Sequence, residues 1–178
     1  MKEVVLYIAM SLDGFIADRE GGVEWLAGDG TDPENPGSYP EFYETVDTVI
    51  LGYRTYRQVA YELFPQAWIY RGKKSYVITH RKLESTEEIV FTDRDPGDLV
   101  GELRGGQGPG IIWVCGGAAV ANQLLEADLV DRLWVSVIPT VLGGGVPLFS
   151  QSPVEKKLTL LSTRQYNGIV DLVYGRRG

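Results

Sequence analysis

The chain has 178 residues, 44% apolar and 23% charged, which suits one globular domain of ordinary size. Its net charge of −7 argues against a general nucleic-acid binder, because phosphate neutralisation needs clustered Lys and Arg. No apolar run approaches the roughly 20 residues that span a bilayer; the single cysteine, Cys115, can form no intrachain disulfide and fits a reducing, cytoplasmic setting, and the single histidine, His80, leaves too few ligands for a metal site.

Taken in order, Val4–Ala9 reads as a first buried strand, since a secretory signal has a longer apolar region and a small-residue cleavage site. It leads into an Asp13-Gly14 turn. Gly28–Ser38, with its Asp, Pro and Gly, reads as a loop. A helix follows over Tyr39–Val46, then a strand over Thr48–Leu51, a helix over Arg54–Leu63 and strands over Ser75–Thr79 and Ile89–Thr92. Asp98–Leu103 is a further helix, Gly105–Gly110 a loop, and Ile111–Cys115 a strand. Several of these strands are almost continuously apolar, as strands covered on both faces are. The helix over Ala118–Glu126 sets Val120, Ala121, Leu124 and Leu125 on one stripe. Strand–helix alternation with short connections implies right-handed crossovers and a mostly parallel sheet.

The last third changes character. Asp131–Ile138 alternates as a strand does, with Leu133, Val135 and Val137 on one side. Leu158–Tyr166 and Ile169–Tyr174 are joined by Asn167-Gly168, a hairpin signal because both turn residues need positive φ. The sheet is therefore expected to end in antiparallel strands, within a single domain over 1–178.

Two strand-to-helix junctions carry glycines. In Cys115-Gly116-Gly117-Ala118 the glycines allow either a phosphate to approach the first-turn N–H groups or simply a tight turn. An exposed anion there gains about 0.3–1 kcal/mol from the helix dipole. Leu51-Gly52-Tyr53-Arg54-Thr55-Tyr56 has the same layout, with a Thr hydroxyl and an Arg charge for a phosphate, or else a helix start with Arg54 in solvent. Two such openings in one small α/β domain suit a diphosphate better than either suggests alone. Neither forms a full G-x-G-x-x-G fingerprint. Arg71–Lys74 and Arg81–Lys82 read equally as solvated loops or as a local basic pocket. The strand end Ile8–Ala17, with its small and aliphatic residues, could pack a flat ring, although as a sequence it reads first as a tight turn with core neighbours.

The order of these segments resembles the dihydrofolate-reductase-like proteins typified by the reductase domain of riboflavin biosynthesis. The matching stretches are MSLDGFIA, Trp25-Leu26, VILGYRTY, YVITHRK, WVCGGAAVANQLLEADLVDRLWVSVIPTVLGGGVPLF and the terminal hairpin, nearly the whole chain. The resemblance implies a three-layer α/β/α sandwich, an NADPH cofactor, a small-molecule substrate and a homodimer. It also implies roles for residues. Ala9 and Ile16 would line the nicotinamide; Gly52, Arg54 and Thr55 would hold phosphates from one side, and Gly116, Gly117, Ala118 and Val120 from the other. Thr79, His80 and Arg81 would pass the adenosine end, with Arg81 pairing a 2′-phosphate, and Asp13 would stand beside the substrate as a catalytic residue or as a turn former. By the same analogy the reaction reduces the ribose C1 of a ribosylamino-pyrimidine, as 5-amino-6-(5-phosphoribosylamino)uracil reductase does.

The chain also departs from the pattern. Folate-reducing members carry an acidic residue on the first helix, where this chain reads Pro36-Gly37-Ser38-Tyr39-Pro40-Glu41-Phe42, and neither Glu41 nor Glu44 aligns cleanly. Tyr53 stands where many relatives have a basic residue. A dihydrofolate or pterin reductase and a non-catalytic NADP-binding dimer are the competing expectations.

Overall fold

In the computed structural model, which describes residues 1–151 and 155–178, the chain runs β1 (Val4–Ser11), β2 (Phe15–Ala17), α1 (Tyr39–Thr45), β3 (Val46–Gly52) and α2 (Tyr53–Arg57). It continues through β4 (Lys74–Ile78), β5 (Ile89–Thr92), α3 (Pro96–Arg104), β6 (Ile111–Gly116), α4 (Ala118–Glu126) and β7 (Arg132–Ile138). Last come β8 (Val146–Pro147), β9 (Leu158–Tyr166) and β10 (Ile169–Arg176). Eight strands form one sheet in the order β5-β4-β3-β6-β1-β7-β10-β9, parallel from β5 to β7 and antiparallel over β10 and β9. Asn167 and Gly168 both adopt positive φ, 49° and 73°, as the hairpin turn requires.

Side-chain alternation along β1 sorts the two faces. Val4 and Leu6 pack with Val100 of α3 and with Val120, Ala121 and Leu124 of α4 in an aliphatic core. Val5 and Tyr7 face the other way, onto Phe42 of α1 and Tyr56 of α2. This second core is aromatic: Tyr7 stacks on Phe42 at 4.5 Å and meets Trp134 edge-on at 5.1 Å, and Tyr70 meets Trp113 at 5.2 Å. Helices thus cover both faces, giving the three-layer α/β/α sandwich. The sheet is not covered throughout, since β9 lies at an edge and exposes Leu160 and Leu161.

Several boundaries differ from the expectations. The helix expected over Arg54–Leu63 is α-helical only to Arg57 and widens into a π-helical stretch over Gln58–Leu63. There Gln58 Nε2 donates to the Gly21 carbonyl at 2.9 Å, tying the widened turn to the loop after β2. The helix expected from Asp98 begins at Pro96, because the Asp95 carboxylate accepts from Gly97 N and Asp98 N and proline sits in the first turn. The two-stranded β2–β8 sheet was not expected; at three and two residues its strands are too short to show a period. Among the described residues no helix is long and apolar enough to cross a membrane.

Candidate functional site

The glycine-bearing junctions meet at the carboxyl ends of neighbouring strands. β3 pairs with β6, bringing Leu51 opposite Gly116, and Gly116 in turn lies against Ile8 of β1, 3.5 Å from the Ile8 Cδ1 atom to the position a Cβ would take. α2, after β3, covers the aromatic face, whereas α4, after β6, covers the aliphatic one. Adjacent parallel strands whose following helices leave to opposite faces open a crevice at their carboxyl ends, where ligands of open α/β sheets bind.

The crevice is lined by backbone. A Cβ on Gly52 would come within 3.5 Å of Val120 Cγ2 and 3.7 Å of Gly117 N, and one on Gly117 within 3.2 Å of Thr55 Oγ1. Gly116 has φ of +129°, a value L side chains rarely adopt, and the Gly116–Gly117 peptide is cis. Neither α2 nor α4 has a side-chain cap, so the first-turn N–H groups of both remain free to bind an anion. Arg54 is exposed beside them and makes no ion pair among the described residues; Ala118 begins α4. These features fit a diphosphate: glycines that keep the cradle open, two sets of amides, a hydroxyl and a cation.

On the next strand, Gly52 pairs with Ile78 of β4, which delivers Thr79, His80 and Arg81 to the same edge. Thr79 is buried and its hydroxyl oxygen accepts from Arg81 N at 3.1 Å. His80 is exposed. The Arg81 guanidinium lies over the Tyr53 ring, 4.7 Å from its centroid. A positive charge from the segment that follows β4 thus sits over Tyr53. On the other side of β6, Ala9 is half-buried near the carboxyl end of β1, and Ile16 of β2 is half-buried against the aliphatic core.

Asp13 ties the end of β1 to the loop that follows β7. Ser11 Oγ donates to Asp13 Oδ1 at 2.6 Å, and the amides of Leu142 and Gly143 donate to its two oxygens at 3.1 and 2.8 Å. The Ser11 hydroxyl foremost, then the Gly143 and Leu142 amides against some desolvation, hold its carboxyl below the ordinary aspartate range. A lowered folded-state value means that this anchor is complete above the unfolded value and lost as pH falls through the folded one. The Leu142 and Gly143 amide resonances are accordingly expected to titrate with a midpoint below that of a free aspartate, and not to titrate in Asp13→Asn. A midpoint at or above the free value would remove the anchor.

Sequence reasoning missed the polar group on the aromatic face. Glu41 is exposed and pairs with Arg164 at 3.2 Å, and Glu44 is exposed, so neither points inward from α1. The buried carboxylate on this face is Asp171 of β10, 1% exposed, which accepts from Ser136 Oγ at 2.6 Å and from the Tyr166 hydroxyl at 2.9 Å. Ile169, Asp171 and Val173 share one strand phase, and a carboxylate in the buried phase was the signal available. Cys115, set out of register by a bulge between β3 and β6, lies 3.5 Å from the Tyr70 hydroxyl, and burial pushes its thiol up to about 11.

The comparisons agree with this architecture. The uncharacterised protein YwjB of Bacillus subtilis (strain 168) is 38% identical over 176 residues, covering 98% of each chain. The crystal structure of a protein from Shewanella sp. PV-4, assigned by its name to riboflavin biosynthesis, superposes with a TM-score of 0.82 at 26% identity over 100% of both chains. Dihydrofolate reductase from Enterococcus faecalis, in complex with NADP(H), shares the fold at a TM-score of 0.64 and 17% identity, over 99% of this chain and 97% of its own. The family described as the RibD C-terminal domain matches residues 2–170. With its sheet order, its twin glycine junctions and this match over nearly its full length, the chain belongs to the family of the RibD C-terminal domain.

Proposed function

We propose that the chain is an NADPH-dependent oxidoreductase acting on a small nitrogen heterocycle of the ribosylamino-pyrimidine class. The observation that carries this reading is the pair Gly52 and Gly117, facing each other between two uncapped helix N-termini on adjacent central strands. Gly52, Thr55 and Arg54 would hold the diphosphate from one side, and the amides of Gly117, Ala118 and Val120, with Gly116 keeping the turn open, from the other. Arg81, braced on Tyr53 and exposed, would take a 2′-phosphate, which favours NADPH over NADH. When bound, NADPH supplies a hydride. The chain's own part is placement: Ala9, with only a methyl group, leaves room for a flat ring at the strand end, and Ile16 closes one side. Reduction of dihydrofolate is less well supported, because α1 turns no carboxylate inward.

The test is calorimetric binding of NADPH to the purified chain, followed by its oxidation with 5-amino-6-(5-phosphoribosylamino)uracil. Thr55→Ala is expected to weaken NADPH binding by about 1.5–3 kcal/mol, the worth of a hydrogen bond to a charged group. A wild-type chain that binds no NADPH sinks the reading. Unchanged affinity in Thr55→Ala removes only that hydroxyl.

A further inference from the structure

The buried polar group on the aromatic face stands in a row. Ala9 of β1 pairs with Ser136 of β7, which pairs with Asp171 of β10, which pairs with Arg164 of β9. All four residues belong to the α1 side of the sheet: Tyr7 and Ala9 share a phase of β1, Tyr7 stacks on Phe42, and Arg164 reaches Glu41 of α1. Ala9 is expected to line the nicotinamide, so Ser136, its neighbour along the row, stands beside the place of the ring that takes the hydride.

The chemistry of this row is directional. The single Ser136 proton is donated to Asp171 Oδ1 at 2.6 Å, and a hydroxyl with its proton committed can only accept from any other group. Tyr166 donates to the same oxygen, while Asp171 Oδ2 is buried with no partner among the described residues. The groups facing this carboxylate are hydroxyls: Ser136 of β7, Tyr166 of β9 and, beside Ser136, Tyr7 of β1. Arg164, next along the row, spends its charge on Glu41. The carboxyl therefore has only hydroxyl partners among the described residues, and the hydrogen bond it accepts leaves Ser136 oriented as an acceptor.

The geometry points to Ser136, oriented by Asp171, as a specificity determinant that accepts a hydrogen bond from an N–H of the substrate heterocycle held beside Ala9. Asp171 acts through Ser136 and is a positioning residue. The assignment rests on the reductase reading for the place of the ring, and its test does not depend on turnover. Two probes of the same ring are compared by calorimetry, with and without NADPH: 2-aminopyrimidin-4-one, which has adjacent N–H donors, and 2,4-dimethoxypyrimidine, which has none.

The wild-type chain is expected to prefer the donor probe by several-fold, up to about tenfold, as one neutral hydrogen bond allows. Ser136→Ala should erase the preference. Asp171→Asn, whose amide can turn an N–H toward Ser136 in place of the accepting oxygen, should reduce it. A purely structural role would weaken both probes alike and leave their ratio unchanged, so an unchanged ratio in both variants overturns the assignment. Equal binding of the two probes by the wild type overturns it as well. Absence of NADPH binding removes the cofactor reading alone, because the cofactor-free probe ratio still decides for or against Ser136.

Discussion

Gly117→Val is expected to lower NADPH affinity by more than about a hundredfold while the protein still folds. The size follows from losing at least two charge-assisted contacts at about 1.5–3 kcal/mol each, once the amides around Gly117 can no longer be approached. Folding should survive, because Gly117 has φ −79° and ψ −160°, an extended conformation open to valine. The nearest atom to its Cβ, 3.2 Å away, is the Thr55 hydroxyl at the end of a rotatable side chain. Gly116 would make a poor probe of the same idea: its φ of +129° strains any side chain, so binding and folding would fail together. Gly52→Ala is the graded control, since its Cβ meets Val120 and Gly117 N only at ordinary contact distances. The measurement is NADPH titration beside a thermal melt. Parent-like affinity in a folded Gly117→Val would place the diphosphate elsewhere.

How much of this could be read from the sequence depended on how strongly each segment was patterned. The β3 and β6 runs are apolar on both faces and end at glycine, so strand, exit and site could be inferred together. The hairpin was equally plain, because Asn167-Gly168 serves few other purposes. The start of α3 was legible and passed over: Asp95 followed by Pro96 is a cap-and-first-turn signal. Other features leave no mark at helical or strand period. The π-helical stretch over Gln58–Leu63 depends on a tertiary bond from Gln58 to Gly21. The outward direction of Glu41 depends on Arg164, 123 positions further along the chain. The Ser136–Asp171 pair joins two separate strands, and only the sheet order makes them neighbours. The abundance of aromatics could be counted, but not their gathering on the α1 face.

At the opposite end of the sheet, Asp131→Ala is expected to destabilise the fold by about 3 kcal/mol and leave NADPH affinity unchanged. Asp131 precedes β7 and ties down the amino ends of the strands. Its Oδ1 accepts from Arg104 at 3.0 Å and Arg176 at 2.6 Å, while its Oδ2 accepts from the Val4 amide at 2.9 Å. One carboxylate therefore joins the start of β1, the end of α3 and the end of β10. The Asp131 and Arg104 side chains are only 17% and 15% exposed, so removing the acid strands a mostly buried guanidinium and a backbone donor. Breaking a fully buried pair costs about 3–5 kcal/mol, and the residual exposure here sets the expectation at the lower bound. For a chain of this size that corresponds to a fall in Tm of roughly 6–12 °C. Asp131→Asn, which keeps acceptor capacity but not charge, should fall between. The crevice at Gly52 and Gly117 lies at the carboxyl ends of β3 and β6, and its cradle is local backbone that shares no partner with Asp131. A melt within about 2 °C of the parent would show that the cluster is solvated rather than structural. A large fall accompanied by lost NADPH binding below the melting range would show instead that the two ends of the sheet are coupled.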